Sequence, residues 1–263
     1  MRVILCEEIK LNLKSLLIWG LSVGGMGLVC ILLYQSMQGD MKEMADAFSN
    51  MGAFSDAFGM STLSIATLEG YFATEVGTVH GLGSAMFAAI TAIGILSKEE
   101  EGHTGEFLFS LPVSRNKIMA AKGICVLLLL IAFTIICAIL YLTGFAVLGE
   151  ELSYKEFFIF MASQFVMNIE IAAICFGISS LSGKNRMGIG LGIALFFYLY
   201  DLMGRVVPDM KDYLFLGPYS YANASEIFSG TERPVLSFVT GYFIIIFVVL
   251  SSFIFYNKRD LAS

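Results

Sequence analysis

The chain has 263 residues, of which 57% are hydrophobic and only 14% are charged, with a net charge of −6 and a mean hydropathy of +0.79. Soluble domains carry about 25% charged residues, so the composition excludes an ordinary soluble domain, and the acidic balance excludes the basic face that nucleic-acid binding needs. Apolar runs of about 20 residues are typical of transmembrane helices, whereas a transmembrane barrel has short alternating strands. The composition therefore predicts an all-α, polytopic membrane protein.

The first predicted element is an amphipathic helix over residues 1–16. Its apolar residues recur at intervals of three and four: Leu5, Ile9, Leu13 and Leu16. This spacing favours a helix that lies in the inner membrane interface before the first span.

Six membrane spans follow in a single transmembrane domain that covers residues 1–263. The predicted spans are 15–34, 79–97, 123–142, 157–181, 187–203 and 235–256. Two long outer segments, 35–78 and 204–234, alternate with shorter inner connections, of which the longest is 98–117. With the N-terminus inside, eleven of the sixteen basic residues lie on the inner side, so the positive-inside rule predicts that both termini are cytoplasmic.

Three pairs of glycines have the GxxxG spacing that allows helices to approach closely in lipid. They are Gly20 and Gly24, Gly77 and Gly81, and Gly188 and Gly192. The first pair serves either a subunit interface or packing within the chain.

The inner loop 99–115, with the sequence EEEGHTGEFLFSLPVSR, has the features of a short helix. Thr104 is a helix-capping residue type, Glu106 suits the first turn, and Pro112 ends the helix. Its apolar face consists of Phe107, Leu108 and Leu111. An apolar face flanked by acids favours docking into a protein groove; the alternative is a solvated turn.

Two acidic residues lie within the predicted spans. Glu170 falls near the middle of the fourth span, where an ionised carboxylate is costly, and Asp201 lies near the outer end of the fifth. Glu170 is either a functional site or a structural carboxyl that is hydrogen-bonded through Ser163, Gln164 or Asn168. Both acids are candidate functional residues.

No catalytic or metal site is expected. The segment GISSLSGKN, residues 177–185, has five residues rather than four between Gly177 and Gly183, and Asn185 replaces the Ser or Thr of a P-loop. The two histidines lie far apart in the sequence, and no Cys or His cluster has the spacing of metal ligands. The chain is therefore not expected to hydrolyse nucleotide by itself.

The segment EEEGHTGEFLFSLPVSRNKIMAAK resembles the inner loop of type-2 ABC transporter permeases, the transmembrane subunits of exporters. The matching residues are Glu101, Gly102, Thr104, Glu106, Leu108, Pro112, Val113, Ser114, Arg115 and Lys122. The C-terminal YNKRDLAS, the N-terminal helix and the six spans extend the resemblance over the whole chain.

The resemblance implies a permease of a bacterial cell membrane that exports substrate with ATP hydrolysed by a separate subunit. Two cytoplasmic ABC ATPase subunits, which bind ATP and Mg²⁺, would pair with this permease and a second one, identical or related; this chain would bind no cofactor. A coupling helix between spans two and three would dock on the ATPase, and substrate would pass between the permeases near spans one, two and five. The implied coupling residues are Glu101, Gly102, Thr104, Glu106, Phe107, Leu108, Leu111, Pro112 and Arg115.

Two other functions remain open from the residues. An ion-coupled secondary transporter would use Glu170, although such carriers usually show internal repeats and several intramembrane charges. A membrane scaffold or immunity protein would dock a partner without transport.

Overall fold

The computed structural model describes residues 1–49, 51–102, 113–150, 153–231 and 235–258. Within these ranges the chain is helical, and six helices are long and apolar enough to span a bilayer. They are α1 (Arg2–Ser49), α3 (Leu68–Ile93), α5 (Arg115–Leu148), α6 (Tyr154–Leu181), α7 (Met187–Val206) and α10 (Val235–Lys258). The short helices are α2 (Ala53–Ala57), α4 (Lys98–Glu101), α8 (Pro208–Lys211) and α9 (Ala224–Phe228).

Two of the spanning helices form the centre of the bundle. In the most hydrophobic window of α3 and of α6, 61% of the residues are buried, against 22% in α7 and 11% in α10. Helix α3 packs against α1, α6 and α7, whereas α10 packs mainly along α6 and α1 along α5. Most of α10 and one face of α1 are therefore left for lipid or for another protein.

Side-chain contacts define the two ends of the bundle. At one end, Glu8 of α1 contacts Lys122 of α5, and Arg115 of α5 contacts Asn257 of α10. We call this end, which holds the start of α1 and the end of α10, the terminal end. At the opposite, far end, Gln35 of α1 donates to the carbonyl oxygen of Leu148.

The predicted helix over residues 1–16 is not separated from the first span by a break, and its location in the membrane interface stays a prediction. Residues 2–49 form one continuous helix of 48 residues, about 72 Å long at 1.5 Å per residue. No proline interrupts this stretch, and Leu5, Ile9 and Leu16 pack on the same hydrophobic core as the residues further along α1. Tertiary packing of this continuous face keeps the first turns in line with the span.

The second span begins earlier than the sequence predicted. Its helix starts at Leu68 rather than at residue 79, because Thr67 caps it by accepting a 3.1 Å hydrogen bond from the amide of Gly70. A Cβ on Gly70 would lie 1.9 Å from the carbonyl oxygen of Ser64, so only glycine fits this close turn. The predicted outer segment 35–78 is therefore largely helical: it contains the end of α1, α2 and the start of α3.

The first glycine pair is used within the chain. A Cβ on Gly24 would lie 2.6 Å from Leu140 of α5, and one on Gly20 would lie 3.3 Å from Ile136 of the same helix. By contrast, a Cβ on Gly188 or Gly192 would meet nothing within 4 Å. The first pair allows α1 and α5 to pack closely, and the third faces open space on α7.

Candidate functional site

A cluster of four charged side chains lies at the terminal end of the bundle. Lys122 is fully buried, and its Nζ is 2.8 Å from Oε1 of Glu8 and also contacts Oε1 of Glu99. Lys98 reaches Oε2 of the same Glu8 at 2.5 Å. We call Glu8, Lys98, Glu99 and Lys122 the ion cluster. Two positive and two negative side chains meet here, so the charge of the buried Lys122 is compensated, which a buried ion requires.

The ion cluster joins three parts of the chain. Glu8 comes from α1, Lys98 and Glu99 from α4, and Lys122 from α5, whose Nζ also donates to the carbonyl oxygen of Ile95 at 2.6 Å. Burial raises the pKa of Glu99, and the nearby Lys122 opposes part of that rise. The cluster therefore holds α4, the last element before residues 103–112, against the first and third spans.

Two further hydrogen bonds attach this region to the end of α6 and to the connection between α6 and α7. The backbone amide of Asn185 donates to Oε2 of Glu101 at 3.1 Å, and the amide of Leu96 donates to Oγ of Ser179 at 3.1 Å. The base of the inner loop is thus bonded to α1, α5, α6 and the connection between α6 and α7.

The predicted coupling residues are only partly within the described structure. Glu101 is the last residue of α4, Gly102 follows it, and Arg115 begins α5, where Nη1 donates to the carbonyl oxygen of Asn257 at 3.4 Å. Six of the nine predicted residues lie outside the described residues: Thr104, Glu106, Phe107, Leu108, Leu111 and Pro112. The coupling helix itself therefore stays a prediction.

Glu170 lies near the middle of α6 and is buried. The hydroxyl of Tyr221 donates to its Oε2 at 2.7 Å. The expected neighbours make other bonds: Gln164 donates to the carbonyl oxygen of Ala222 at 2.9 Å, and Asn168 accepts from Ser84 at 3.1 Å. The partner of Glu170 thus comes from a segment distant in sequence.

The contact between Tyr221 and Glu170 shows how far the segment between α7 and α10 extends into the helix bundle. Tyr221 meets Glu170 sixteen residues after the start of α6, which is about 24 Å along the helix axis. The hydroxyl of Tyr219 also donates to the carbonyl oxygen of Gly81 on α3, at 3.3 Å. The predicted outer segment 204–234 therefore folds back into the bundle, and we call residues 214–228 the re-entrant segment.

Asp201 lies at the far end of α7 and pairs with Arg205 one turn later. Its Oδ2 accepts from Nη2 and Nε of Arg205 at 2.8 and 3.0 Å, while Oδ1 has no partner among the described residues. The pair lines a cavity of about 500 Å³ at the far end, beside the re-entrant segment. The charged residues around this cavity are Asp201, Arg205, Lys211, Asp212 and Glu226. Burial raises the pKa of Glu226, and the positive charge of Arg205 offsets part of that rise.

The sequence did not single out the ion cluster or the pair of His80 and Tyr141. His80 is buried on α3, and its Nδ1 lies 3.0 Å from the hydroxyl oxygen of Tyr141 on α5. A signal for Lys122 was present, because it lies three and four residues from the apolar positions Ile118 and Cys125–Val126. A lysine in such a stripe needs an acidic partner.

A family profile described as ABC-2 family transporter protein matches residues 2–261. The chain belongs to the ABC-2 transporter family. No curated protein sequence matches it. As an ABC-2 permease, the chain is a membrane transport subunit with several transmembrane helices, and membership of the family implies partnership with an ABC ATPase subunit.

The two sets of polar contacts in this ABC-2 permease have different places in the bundle. The ion cluster lies at the end from which residues 103–112 emerge, and the Glu170–Tyr221 contact lies between spans, where the re-entrant segment meets α6. In the described part of the chain, no group of three or more His, Cys, Asp or Glu side chains is arranged to hold a metal ion.

Proposed function

We propose that this ABC-2 permease is the membrane subunit of an ATP-driven exporter. A separate cytoplasmic ATPase subunit, present in two copies, binds ATP and Mg²⁺, and residues 103–112 dock into its groove. The observation that carries the proposal is the ion cluster, because it attaches the base of this loop to two spanning helices. Membership of the family supports the partnership.

The ion cluster provides a route for mechanical coupling. Movement of the ATPase against residues 103–112 displaces α4, and the salt bridges of Lys98 and Glu99 transfer this displacement to Glu8 and Lys122. Charge-assisted hydrogen bonds are stronger than neutral ones, so the connection is stiff. Helices α1 and α5 then move together, which shifts the bundle between two arrangements.

The proposal places the terminal end in the cytoplasm of a bacterial cell. The two terminal segments and the connections at this end together carry eleven of the sixteen basic residues, which is the bias expected on the cytoplasmic side. Both termini then lie on the ATPase side, and the cavity beside Asp201 opens to the outside.

A second permease, identical or related, completes the transport pathway. Helix α7 has an exposed apolar face that includes Phe196, Leu199 and Met203, and Gly188 and Gly192 lie open near its other end. Small residues let helices approach closely in lipid, where interfaces depend on packing. We assign this face of α7 to the contact between the two permeases.

The first test is purification of the tagged chain from native membranes in mild detergent, followed by mass spectrometry of the proteins that accompany it. We expect a stoichiometric P-loop ATPase, and its recovery falls at least tenfold in Phe107→Asp because a charge replaces the docking side chain. Phe54→Asp is the matched control, since it places the same change on an exposed side chain at the far end. Absence of an ATPase from the wild-type complex after crosslinking, or its full retention by Phe107→Asp, contradicts the proposal.

A further inference from the structure

An apolar groove runs between α5, α6 and α10. Its volume is about 300 Å³, and its lining is entirely apolar. Small residues create the space: Ala120 and Gly123 on α5 face Ala172 and Ala173 on α6. A Cβ on Gly123 would have Phe176 as its nearest neighbour, at 3.9 Å, so the floor of the groove is open.

The groove has the length of one leaflet of a bilayer. On α5 it extends from Met119 to Leu130, and on α10 from Phe253 back to Ile245, which correspond to about 16 Å and 12 Å along the helix axes. The hydrocarbon core of a bilayer is about 30 Å thick, so one leaflet contributes about 15 Å. Because α5 and α10 run in opposite directions, Met119 and Phe253 both mark the terminal end of the groove.

Positive charge lies at that end of the groove. Arg115 precedes Met119 by one helical turn and donates to the carbonyl oxygen of Asn257, and Lys117 and Lys258 are exposed close by on α5 and α10. Neither α5 nor α10 contains an aspartate or glutamate. The next two residues of the sequence, Arg259 and Asp260, add no net charge. The mouth of the groove is therefore basic while its walls are apolar.

We propose that the groove binds an anionic phospholipid from the leaflet at the terminal end. One acyl chain occupies the space beside Gly123 and Ala173, and the phosphate and acidic headgroup meet Arg115, Lys117 and Lys258. The occupant follows from the combination of an apolar trough one leaflet long with a cationic mouth, since basic pockets between spanning helices attract anionic headgroups. The site needs no nucleotide.

The test uses the full-length chain, purified in detergent together with the subunits that accompany it. The sample is titrated with phosphatidylglycerol or with phosphatidylcholine that has the same acyl chains. Bound lipids are counted by native mass spectrometry. We expect preferential retention of phosphatidylglycerol, and the double variant Lys117→Gln/Lys258→Gln lowers that retention at least fivefold. Lys155→Gln/Lys211→Gln, which removes two exposed cations at the far end, is the control and leaves retention unchanged.

A second variant tests the acyl-chain part of the site. Gly123→Leu fills the groove, so we expect it to reduce retention of both lipids. In a separate competition experiment, we expect that soluble glycerol phosphate at the same concentration does not displace phosphatidylglycerol. Equal retention of the two lipids by the wild type, or unchanged retention in the lysine variant, overturns the proposal. Competition by glycerol phosphate also overturns it, because it assigns the binding to a headgroup alone. These outcomes are independent of ATPase recovery, so failure here leaves the proposed function untouched.

Discussion

Lys122 of α5 and Glu8 of α1 lie 2.8 Å apart, and the lysine side chain is 0% exposed to solvent. The two residues are 114 positions apart in the chain, yet they form one contact with Glu99, which precedes the predicted coupling loop. A buried charge of this kind is stable only while its partners remain, so the cluster couples the integrity of the bundle to the position of the loop.

Replacing Lys122 tests this coupling. Lys122→Met leaves the carboxylates of Glu8 and Glu99 without their shared cation, and we expect a loss of about 3–5 kcal/mol in the free energy of unfolding. Thermal unfolding of the purified chain measures this loss. The control Lys10→Met removes only the exposed pair with Glu7 at 3.7 Å and costs less than about 1 kcal/mol.

A double variant distinguishes the effect on coupling from the effect on stability. The double variant Lys122→Met/Glu99→Gln also neutralises one of the two carboxylates that contacted Lys122 and recovers part of the stability, but it does not restore the bridge between α4 and α5. If the cluster transmits movement, we expect the double variant to lose the effect of the permease on the rate of ATP hydrolysis. The measurement compares the ATPase rate of the reconstituted complex with that of the ATPase subunit alone. A normal response with restored stability contradicts the proposed route.

Glu170 and Tyr221 provide a second test, which separates the exporter from an ion-coupled carrier. Glu170→Gln keeps an oxygen that accepts from the Tyr221 hydroxyl, so we expect stability close to wild type. Tyr221→Phe leaves a carboxylate oxygen without its donor and costs about 1–3 kcal/mol. Transport persists in Glu170→Gln if the carboxyl only holds the re-entrant segment; its abolition, with folding intact, favours an ion-coupled carrier.

The pairing of permeases is tested on α7. Because a Cβ on Gly188 or Gly192 meets nothing within the chain, the double variant Gly188→Leu/Gly192→Leu leaves the fold intact and obstructs close approach by a second helix. Native mass spectrometry is expected to show a shift from two permeases per complex to one. Gly39→Leu, at another open position beyond the first span, is the control, and persistence of pairs in the α7 variant contradicts the assignment.

Arg205 and Asp201 form an ion pair that lines the cavity at the far end. Arg205→Gln removes both hydrogen bonds to Oδ2 of Asp201, whose Oδ1 has no partner among the described residues, and we expect a loss of about 3 kcal/mol on thermal unfolding. The double variant Arg205→Gln/Asp201→Asn recovers most of this loss. Arg186→Gln, which removes an exposed contact with Ser182, is neutral by comparison.

The positions of the spans could be predicted from the sequence because each depends on a local run of apolar residues. The fourth, fifth and sixth helices end within three residues of the predicted limits at both ends. The second helix starts eleven residues early, because the close turn at Gly70 depends on the backbone of Ser64 and is not visible as hydropathy. Glu170 was identified as a costly intramembrane acid, but its partner Tyr221 lies 51 residues away.

The sequence by itself determined that this is an all-α membrane protein with six spans, and its inner-loop motif indicated the family. Both depend on short-range signals, the hydrophobicity of segments long enough to cross a bilayer and a local pattern of residue types. Only the tertiary structure decided that α1 continues unbroken from its first turn, that Lys122 joins Glu8 and Glu99, and that the re-entrant segment reaches Glu170. These features arise from contacts between residues far apart in the chain, whose low-dielectric surroundings force each buried charge or hydroxyl to find a partner that local sequence does not reveal.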